Sequence, residues 1–392
     1  MSWPLVKLDS VVEVLSGFAF KSSSFNKASQ GVPIIRIQNV AENNSEEDFV
    51  YWDESYKEKF LIDDGDILLS LSGNIKLGIW GNGKALLNQR IIKISEKEGL
   101  DKGYLFYFLM SAVKSIAALG KEAVISNVSV NDFKALLIPL PPLETQKKIA
   151  AVLEKADQLR QDCKLLEQEL NSLAQSVFID MFGDPVTNPK GWEVKTLDDV
   201  CDDIYRYPTF YGFDYVDKGI PVVKIGNITA DGYVDGDLSK YDFMPESISK
   251  EYPRTILKLG DIVMAVRGDG STGKRIGLVE SESVVNGNIS PNLIMYRANL
   301  EKVDYIFLYF FLTSFGGQKK IEKYISKTAK KTITGKDIKK IEIYCPPMEL
   351  QNNFKAVYQE VRRMIKSAST TEDYGALFNS LIQKAFKGEL NL

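Results

Sequence analysis

Apolar residues come in short runs of about four to eight, set between Gly, Pro, Asn and Asp, a spacing that predicts strands joined by tight turns. Pro33 to Val40, Asp66 to Leu71 and Leu86 to Ile94 are such runs, and 221–225, 261–266 and 276–280 are their counterparts further along. Each set leads into an aromatic amphipathic stretch read as a helix, Tyr104 to Leu119 and Tyr305 to Tyr324. A last strand follows, Lys134 to Pro139 and Ile338 to Tyr344, running into Pro-Pro. After each Pro-Pro the period becomes seven. Ile149, Ala156, Cys163, Leu170 and Val177 form one line, and Val152, Leu159, Leu166 and Leu173 the other. The second set is Phe354, Val361, Ala368 with Val357, Met364, Thr371 and Phe378, weakened by Gly375 and by polar residues from Ser367 to Asp373. Such an a/d seam predicts two long paired helices. Proline in the first turn, with Glu144 or Glu349 close behind, suits their N-termini.

The two halves are copies. Trp3, Leu8, Asp9 and Val11 recur as Trp192, Leu197, Asp198 and Val200, and the block Gly31 to Asn39 recurs as Gly219 to Asn227. Pro141-Pro-Leu-Glu144-Thr-Gln146 recurs as Pro346-Pro-Met-Glu349-Leu-Gln351, and Asn171 to Phe178 as Asn379 to Phe386. The expected fold class is α+β: two similar mixed domains separated by an antiparallel pair of long coiled-coil helices, with pseudo-two-fold symmetry. A helix of about 38 residues is roughly 57 Å long, enough to hold two modules about one duplex turn, roughly 34 Å, apart on DNA. The second copy gained loop residues while keeping its scaffold, the pattern expected of two different binding specificities.

With 392 residues, 44% of them hydrophobic, the chain can bury several cores. No apolar run reaches the ~18 residues of a membrane span, so a soluble, cytoplasmic protein with no membrane partner is expected. Cys163, Cys201 and Cys345 are scattered, which suits a reducing compartment and argues against disulfides or a zinc site. There is no histidine, so no Ser-His-Asp triad, Cys-His pair or His-ligated metal can be built from this chain alone. Binding is favoured over catalysis. The net charge of −3 counts against a nucleic-acid partner, but lysines crowd the segment from Lys319 to Lys340. That segment reads either as a solvated face or, preferably, as a phosphate-facing stripe that includes Lys330 and Lys331.

Two motifs fail on inspection. Gly268 to Lys274 nearly spells a P-loop, but Arg275 stands where the magnesium-ligating hydroxyl belongs, and strand-like residues follow instead of a helix. It is read, like the matching Ser72 to Gly78, as a strand–turn–strand loop with a basic tip, bearing Ser72, Asn74 and Lys76 in one copy and Arg267, Ser271, Lys274 and Arg275 in the other. Leu140 to Leu143 and Cys345 to Met348 lack the polar first and aromatic last residues of an adenine methyltransferase loop. Polar residues recur at strand ends: Arg36 and Asn39 against Lys224 and Asn227, and Asn88, Gln89 and Arg90 against Asn286, Gly287 and Asn288. Asn and Gln can hydrogen-bond adenine and Arg guanine in the major groove. Each of these residues can equally be a turn-former or cap.

The duplicated Gly-x-Pro-[IV]-[IV]-[RK]-Ile block, the Gly65-Asp66-Ile67 and Gly260-Asp261-Ile262 strand starts and the Pro-Pro-[LM]-Glu-x-Gln openings together resemble the DNA-specificity subunit of type I restriction–modification systems. The junction from Met181 to Trp192 and the segment Ala385 to Leu390 belong to the same likeness. The resemblance implies target-recognition domains at 1–143 and 184–347, alternating with spacer helices at 144–183 and 348–392. Each domain would read one half of a split, asymmetric double-stranded DNA target. The helices, through Ile149, Val152, Ala156, Leu159, Leu166, Leu170, Leu173, Phe354, Val357, Val361, Met364 and Phe378, would pair and dock two methyltransferase subunits. S-adenosylmethionine, ATP and Mg would belong to those methyltransferase and to restriction subunits; this chain itself would hold no cofactor and catalyse nothing. The alternative from another class is a coiled-coil scaffold whose duplicated domains bind protein partners.

Overall fold

The computed structural model describes residues 3–40, 49–73, 75–119, 128–206, 212–268, 272–326, 331–367 and 371–390. The chain divides into two compact units, Met1–Lys164 with Ser369–Leu392 (unit 1) and Leu165–Ala368 (unit 2).

Unit 1 holds strands β1 (Leu5–Lys7), β2 (Val12–Ser16), β3 (Val32–Ile35), β4 (Val50–Trp52), β5 (Leu61–Ile62), β6 (Ile67–Ser70), β7 (Leu77–Ile79), β8 (Ala85–Leu87), β9 (Ile91–Glu96) and β10 (Leu137–Pro139). Its helices are α1 (Leu8–Val11), α2 (Lys102–Leu119), α3 (Val130–Ala135) and the start of α4 (Leu143–Phe182). One antiparallel sheet runs β2-β9-β6-β7; a second runs β4-β3-β8-β5, with β3 and β8 parallel; β1 pairs with β10.

Unit 2 repeats this plan. Its strands are β11 (Glu193–Thr196), β12 (Cys201–Arg206), β13 (Ile220–Val223), β14 (Asp242–Met244), β15 (Ile262–Ala265), β16 (Ile276–Leu278), β17 (Asn288–Ile289), β18 (Leu293–Ala298) and β19 (Glu342–Cys345). They form sheets β12-β18-β15-β16 and β14-β13-β17, and the pair β11-β19. The helices are α5 (Leu197–Val200), α6 (Glu246–Glu251), α7 (Tyr305–Thr313), α8 (Phe315–Glu322), α9 (Gly335–Lys339) and α10 (Met348–Ser367); α11 (Thr371–Lys387) returns to unit 1. No described helix is long and apolar enough to cross a membrane.

Several elements depart from the sequence-based expectation for local reasons. The run Leu86 to Ile94 is two strands in different sheets, parted at Arg90, whose φ of 69° turns the chain. The stretch Tyr305 to Tyr324 breaks at Ser314, whose Oγ accepts the Gly317 N–H and starts a new helix. Gly317 packs on the Phe311 carbonyl so closely that no Cβ fits. The expected last strands begin as short helices, α3 and α9, capped by Ser129 and Thr334. Each hydroxyl accepts the N–H three residues on and donates to that residue's carboxylate, Asp132 or Asp337. This side-chain bonding favours a helix start over a strand.

The Pro-Pro-x-Glu-x-Gln motif makes the joint between domain and helix. Gln146 and Gln351 are fully buried. Gln146 Oε1 accepts the Asp101 N–H at 2.8 Å while its amide donates to Gly99 and Pro141 carbonyls. Gln351 accepts the Asp304 N–H at 2.8 Å and donates to Pro346. Each glutamine thus satisfies main-chain groups that burial would otherwise orphan.

The heptad reading needs correction. Ile149, Phe354, Val361, Leu170 and Phe378 are buried, whereas Val152 and Ala156 are half-buried. The line Leu159, Leu166 and Leu173 is 40–50% exposed, and Val357 and Met364 are 36% and 45% exposed. Ala368 lies outside the described residues. The packed stripe of α4 steps by four, through Ile149, Leu153 and Asp157 in unit 1 and Leu170, Ala174, Phe178 and Phe182 in unit 2. In each unit this stripe packs against both the domain's aromatic helix and the second long helix, α11 in unit 1 and α10 in unit 2, so the helices pair through it and not through the Leu159 line. In unit 1, Phe386 of α11 packs on Tyr104 and Phe108 of α2; in unit 2, Phe178 packs on Phe307, Phe310 and Phe354.

The joints also differ. In unit 2, Tyr358 donates to Glu280 at 2.6 Å, Arg362 pairs with Glu280 at 3.1 Å and lies over the Tyr233 ring, and Lys355 pairs with Asp304. Counting from the matched glutamines, Leu153 and Asp157 occupy the places of Tyr358 and Arg362 in unit 1. There Asp157 is held by Arg160, whose guanidinium covers Phe378.

Candidate nucleic-acid interface

At one end of the paired sheets the loops are laced together by main-chain hydrogen bonds. In unit 1 Leu71 N–H donates to Arg90 O, Gln89 N–H to Phe18 O, Gly17 N–H to Ile91 O and Val128 N–H to Leu71 O, all at 2.8–3.0 Å. In unit 2 Val266 N–H donates to Asn292 O at 2.9 Å, Ser290 N–H to Val223 O at 2.8 Å and Ile333 N–H to Val266 O at 3.3 Å. Thr272 Oγ1 donates to the Lys331 carbonyl at 3.0 Å.

Strand register aligns the two copies at this end. Leu86 faces Ile34 as Asn288 faces Val222. The match of Asn88, Gln89 and Arg90 with Asn286, Gly287 and Asn288 is therefore wrong by four residues: Asn88, Gln89 and Arg90 correspond to Ser290, Pro291 and Asn292. Lys76 O receives the Ser70 N–H as Arg275 O receives the Ala265 N–H, so Lys76 matches Arg275. By the same register Ser72 matches Arg267. Ser16 faces Ile92 as Arg206 faces Ile294, so Ser16 matches Arg206.

Several residues expected to read DNA serve the fold. Asn39 and Asn227 are buried, and each Oδ1 accepts a main-chain N–H, of Arg36 at 3.0 Å and of Lys224 at 2.8 Å. Asn288 is fully buried, with its amide consumed by Ser249 and Thr255. Asn286 turns the chain with a φ of 68° at the opposite end of β17. Lys224 is paired with Asp242 and covers the Tyr215 ring. Arg36 is half-buried. Ser72 is buried, with no hydrogen-bond partner for its Oγ among the described residues.

Gln89, Arg90, Arg267, Lys274 and Lys331 are exposed and Lys76 and Arg275 half-buried. These belong to the laced loops. Asn74, Ser271 and Lys330 lie outside the described residues. The segment from Gly268 lies between antiparallel β15 and β16, as the strand–turn–strand reading requires.

Four lysines of the lysine-rich segment are engaged by neighbouring side chains. Lys320 pairs with Glu342, Lys339 with Asp198 and Lys340 with Asp337, while Lys319 sits over Phe315. Lys323, Lys331 and Lys336 are exposed and have no carboxylate partner among the described residues.

Sequence inspection missed Arg206, at the end of β12. Its Nε donates to the Pro291 carbonyl at 3.2 Å, and burial together with the nearby Arg267 charge holds its guanidinium below the ordinary value. The strand end preceding a gap in the apolar pattern was the available signal. Among the described residues no cluster of three or more His, Cys, Asp or Glu side chains could hold a metal ion.

The family described as "Type I restriction modification DNA specificity domain" matches residues 2–174 and 189–365. The type I restriction enzyme EcoBI specificity subunit of Escherichia coli is 26% identical over 99% of this chain and 86% of its own length. The MjaVIII specificity subunit of Methanocaldococcus jannaschii is 27% identical over 85% of this chain and 79% of its own. The crystal structure of a type I restriction-modification S subunit from M. genitalium aligns with a TM-score of 0.58 at 14% identity, covering 98% of this chain and 96% of that one, a likeness of fold.

Proposed function

This chain belongs to the type I restriction-modification DNA specificity family, and on that premise we propose that it is a non-catalytic subunit whose two units each read one half of a bipartite, asymmetric double-stranded DNA target. The observation that carries this reading is the common loop scaffold bearing unlike side chains in register: Ser72 against Arg267, Lys76 against Arg275, Arg90 against Asn292. A constant frame with substituted tips is what two different base readers require.

The long helices serve as spacer and as docking surface for two methyltransferase subunits. The exposed leucines Leu166 and Leu173 on α4, with Met364 on α10, support that role, because apolar residues left open on a helix favour a covering partner. Those subunits bring S-adenosylmethionine and the base-flipping chemistry, and restriction subunits bring ATP and Mg. This chain's own residues bind and orient the duplex.

The test is selection from a random duplex library by the full chain co-purified with its methyltransferase partners. Two short constant blocks at a fixed separation are expected. One contiguous block, or no enrichment, overturns the reading.

A further inference from the structure

Arg206 and Met264 face the same residue, Ile294, from the two neighbouring strands, and Arg267 follows Met264 by three residues. The two arginines therefore flank the start of β18 at the laced end of unit 2. Arg206 is half-buried and pinned through Nε to Pro291 O; the backbone of Arg267 is held in a bridge to Thr332. No carboxylate pairs with either among the described residues, whereas Lys320, Lys339 and Lys340 of the same unit each have one. Burial, and then the charge of Arg267, hold the Arg206 guanidinium below its ordinary value. In unit 1 the same two places hold Ser16 and Ser72, so the scaffold does not need guanidinium groups there.

Two like charges on either side of β18, with no acid paired to either among the described residues, call for an electronegative ligand that arrives from outside. Pinning by Nε fixes the plane of a guanidinium, which suits a flat, two-acceptor edge better than a freely turning phosphate. Guanine O6 and N7 in the major groove form such an edge. We infer that Arg206 and Arg267 are the guanine-reading pair of unit 2, so that the half-site it reads carries guanine opposite them, while unit 1, with serines in those places, reads its half by other contacts. The inference rests on the DNA-reading function proposed above.

The experiment repeats the duplex selection with Arg206→Gln, Arg267→Gln and the two Arg→Lys variants, using the full chain with its methyltransferase partners. The half-site of unit 2 is the one that persists when residues 1–143 are exchanged. Thermal melting confirms that each variant folds, and the lysine forms supply a gentler change should a glutamine form not. In that half the natural protein should enrich guanine. Each glutamine variant should reduce the guanine preference by roughly tenfold to a hundredfold and leave the other half unaltered. The lysine variants should keep the salt dependence of binding but lose part of the selectivity.

A unit 2 half-site without guanine overturns the inference and leaves the DNA-reading function standing. So does a uniform loss over all duplexes, with the salt slope falling by about one per residue, which marks phosphate anchors. If the natural protein enriches no sequence, the DNA-reading function falls and the inference with it.

Discussion

The side-chain carbonyl of Gln351 accepts the backbone N–H of Asp304 at 2.8 Å, at a point where both residues are buried. Replacing Gln351 with Leu orphans that donor and the Pro346 carbonyl. A loss of about 2–4 kcal/mol in unfolding free energy is expected, read from urea titrations followed by tryptophan fluorescence. A change below about 0.5 kcal/mol would mean that solvent replaces the glutamine and the joint is looser than it looks.

Asn288 gives a sharper test, because sequence reasoning assigned it to DNA and the fold assigns it to the core. Asn288→Leu, the residue in register at Leu86, should destabilise by about 1–3 kcal/mol by stranding Ser249 and Thr255. Combining it with Ser249→Ala and Thr255→Val should recover most of that loss, and neither form should alter the selected DNA sequence. Altered selectivity in the recovered triple variant would return Asn288 to the reading surface.

Exchange of residues 1–143 for another recognition domain should change one block of the target and preserve the other. Adding one heptad to α4, about 10 Å, should widen the gap between blocks by at most about three base pairs. Methylome sequencing reads both results. An unchanged gap removes the spacer role of the helix.

Charge at the laced loops should dominate salt dependence. Lys331→Gln is expected to lower the slope of log K against log salt by about one, whereas Lys339→Gln, whose cation already faces Asp198 at 2.7 Å, should leave it nearly unchanged. Equal slopes for both variants would restore the wider lysine stripe.

Burial and the charges of Asp202, Asp198 and Asp203 push the Cys201 thiol up to about 12, and burial pushes Cys345 up to about 11. At pH 8 roughly one in a thousand such thiols, or fewer, is ionised, against roughly a quarter of ordinary ones. Iodoacetamide should therefore label Cys201 and Cys345 slowly in the native protein and quickly in urea, as followed by peptide mass spectrometry. Rapid native labelling of either would show that its strand opens readily.

Much of the fold was legible because repetition doubled every signal: the turn-bounded runs, the aromatic stretches and the Pro-Pro openings stand near where the pattern puts them, apart from the breaks at Arg90 and Ser314. The errors have physical causes. Identical asparagine letters at 88 and 286 drew the copies into a false match, since a slip of four residues among loops of unequal length is invisible to letters and obvious to strand register. The line of Leu159, Leu166 and Leu173 looked like a seam because period alone cannot say which face a neighbouring helix will take. Asn39 and Asn227 carried the right chemistry for bases, but a main-chain N–H three residues back claims that chemistry first. Arg206 was passed over because a single arginine at a strand end carries no period at all.

The bonds that lace the reading loops, from Leu71 to Arg90 and from Val266 to Asn292, join main chain to main chain. None depends on which side chain those positions carry. A lineage can therefore acquire a new vocabulary by single substitutions at the tips, with no compensating change beneath them. On the proposed DNA-reading function, diversity of recognition is cheap in such an architecture.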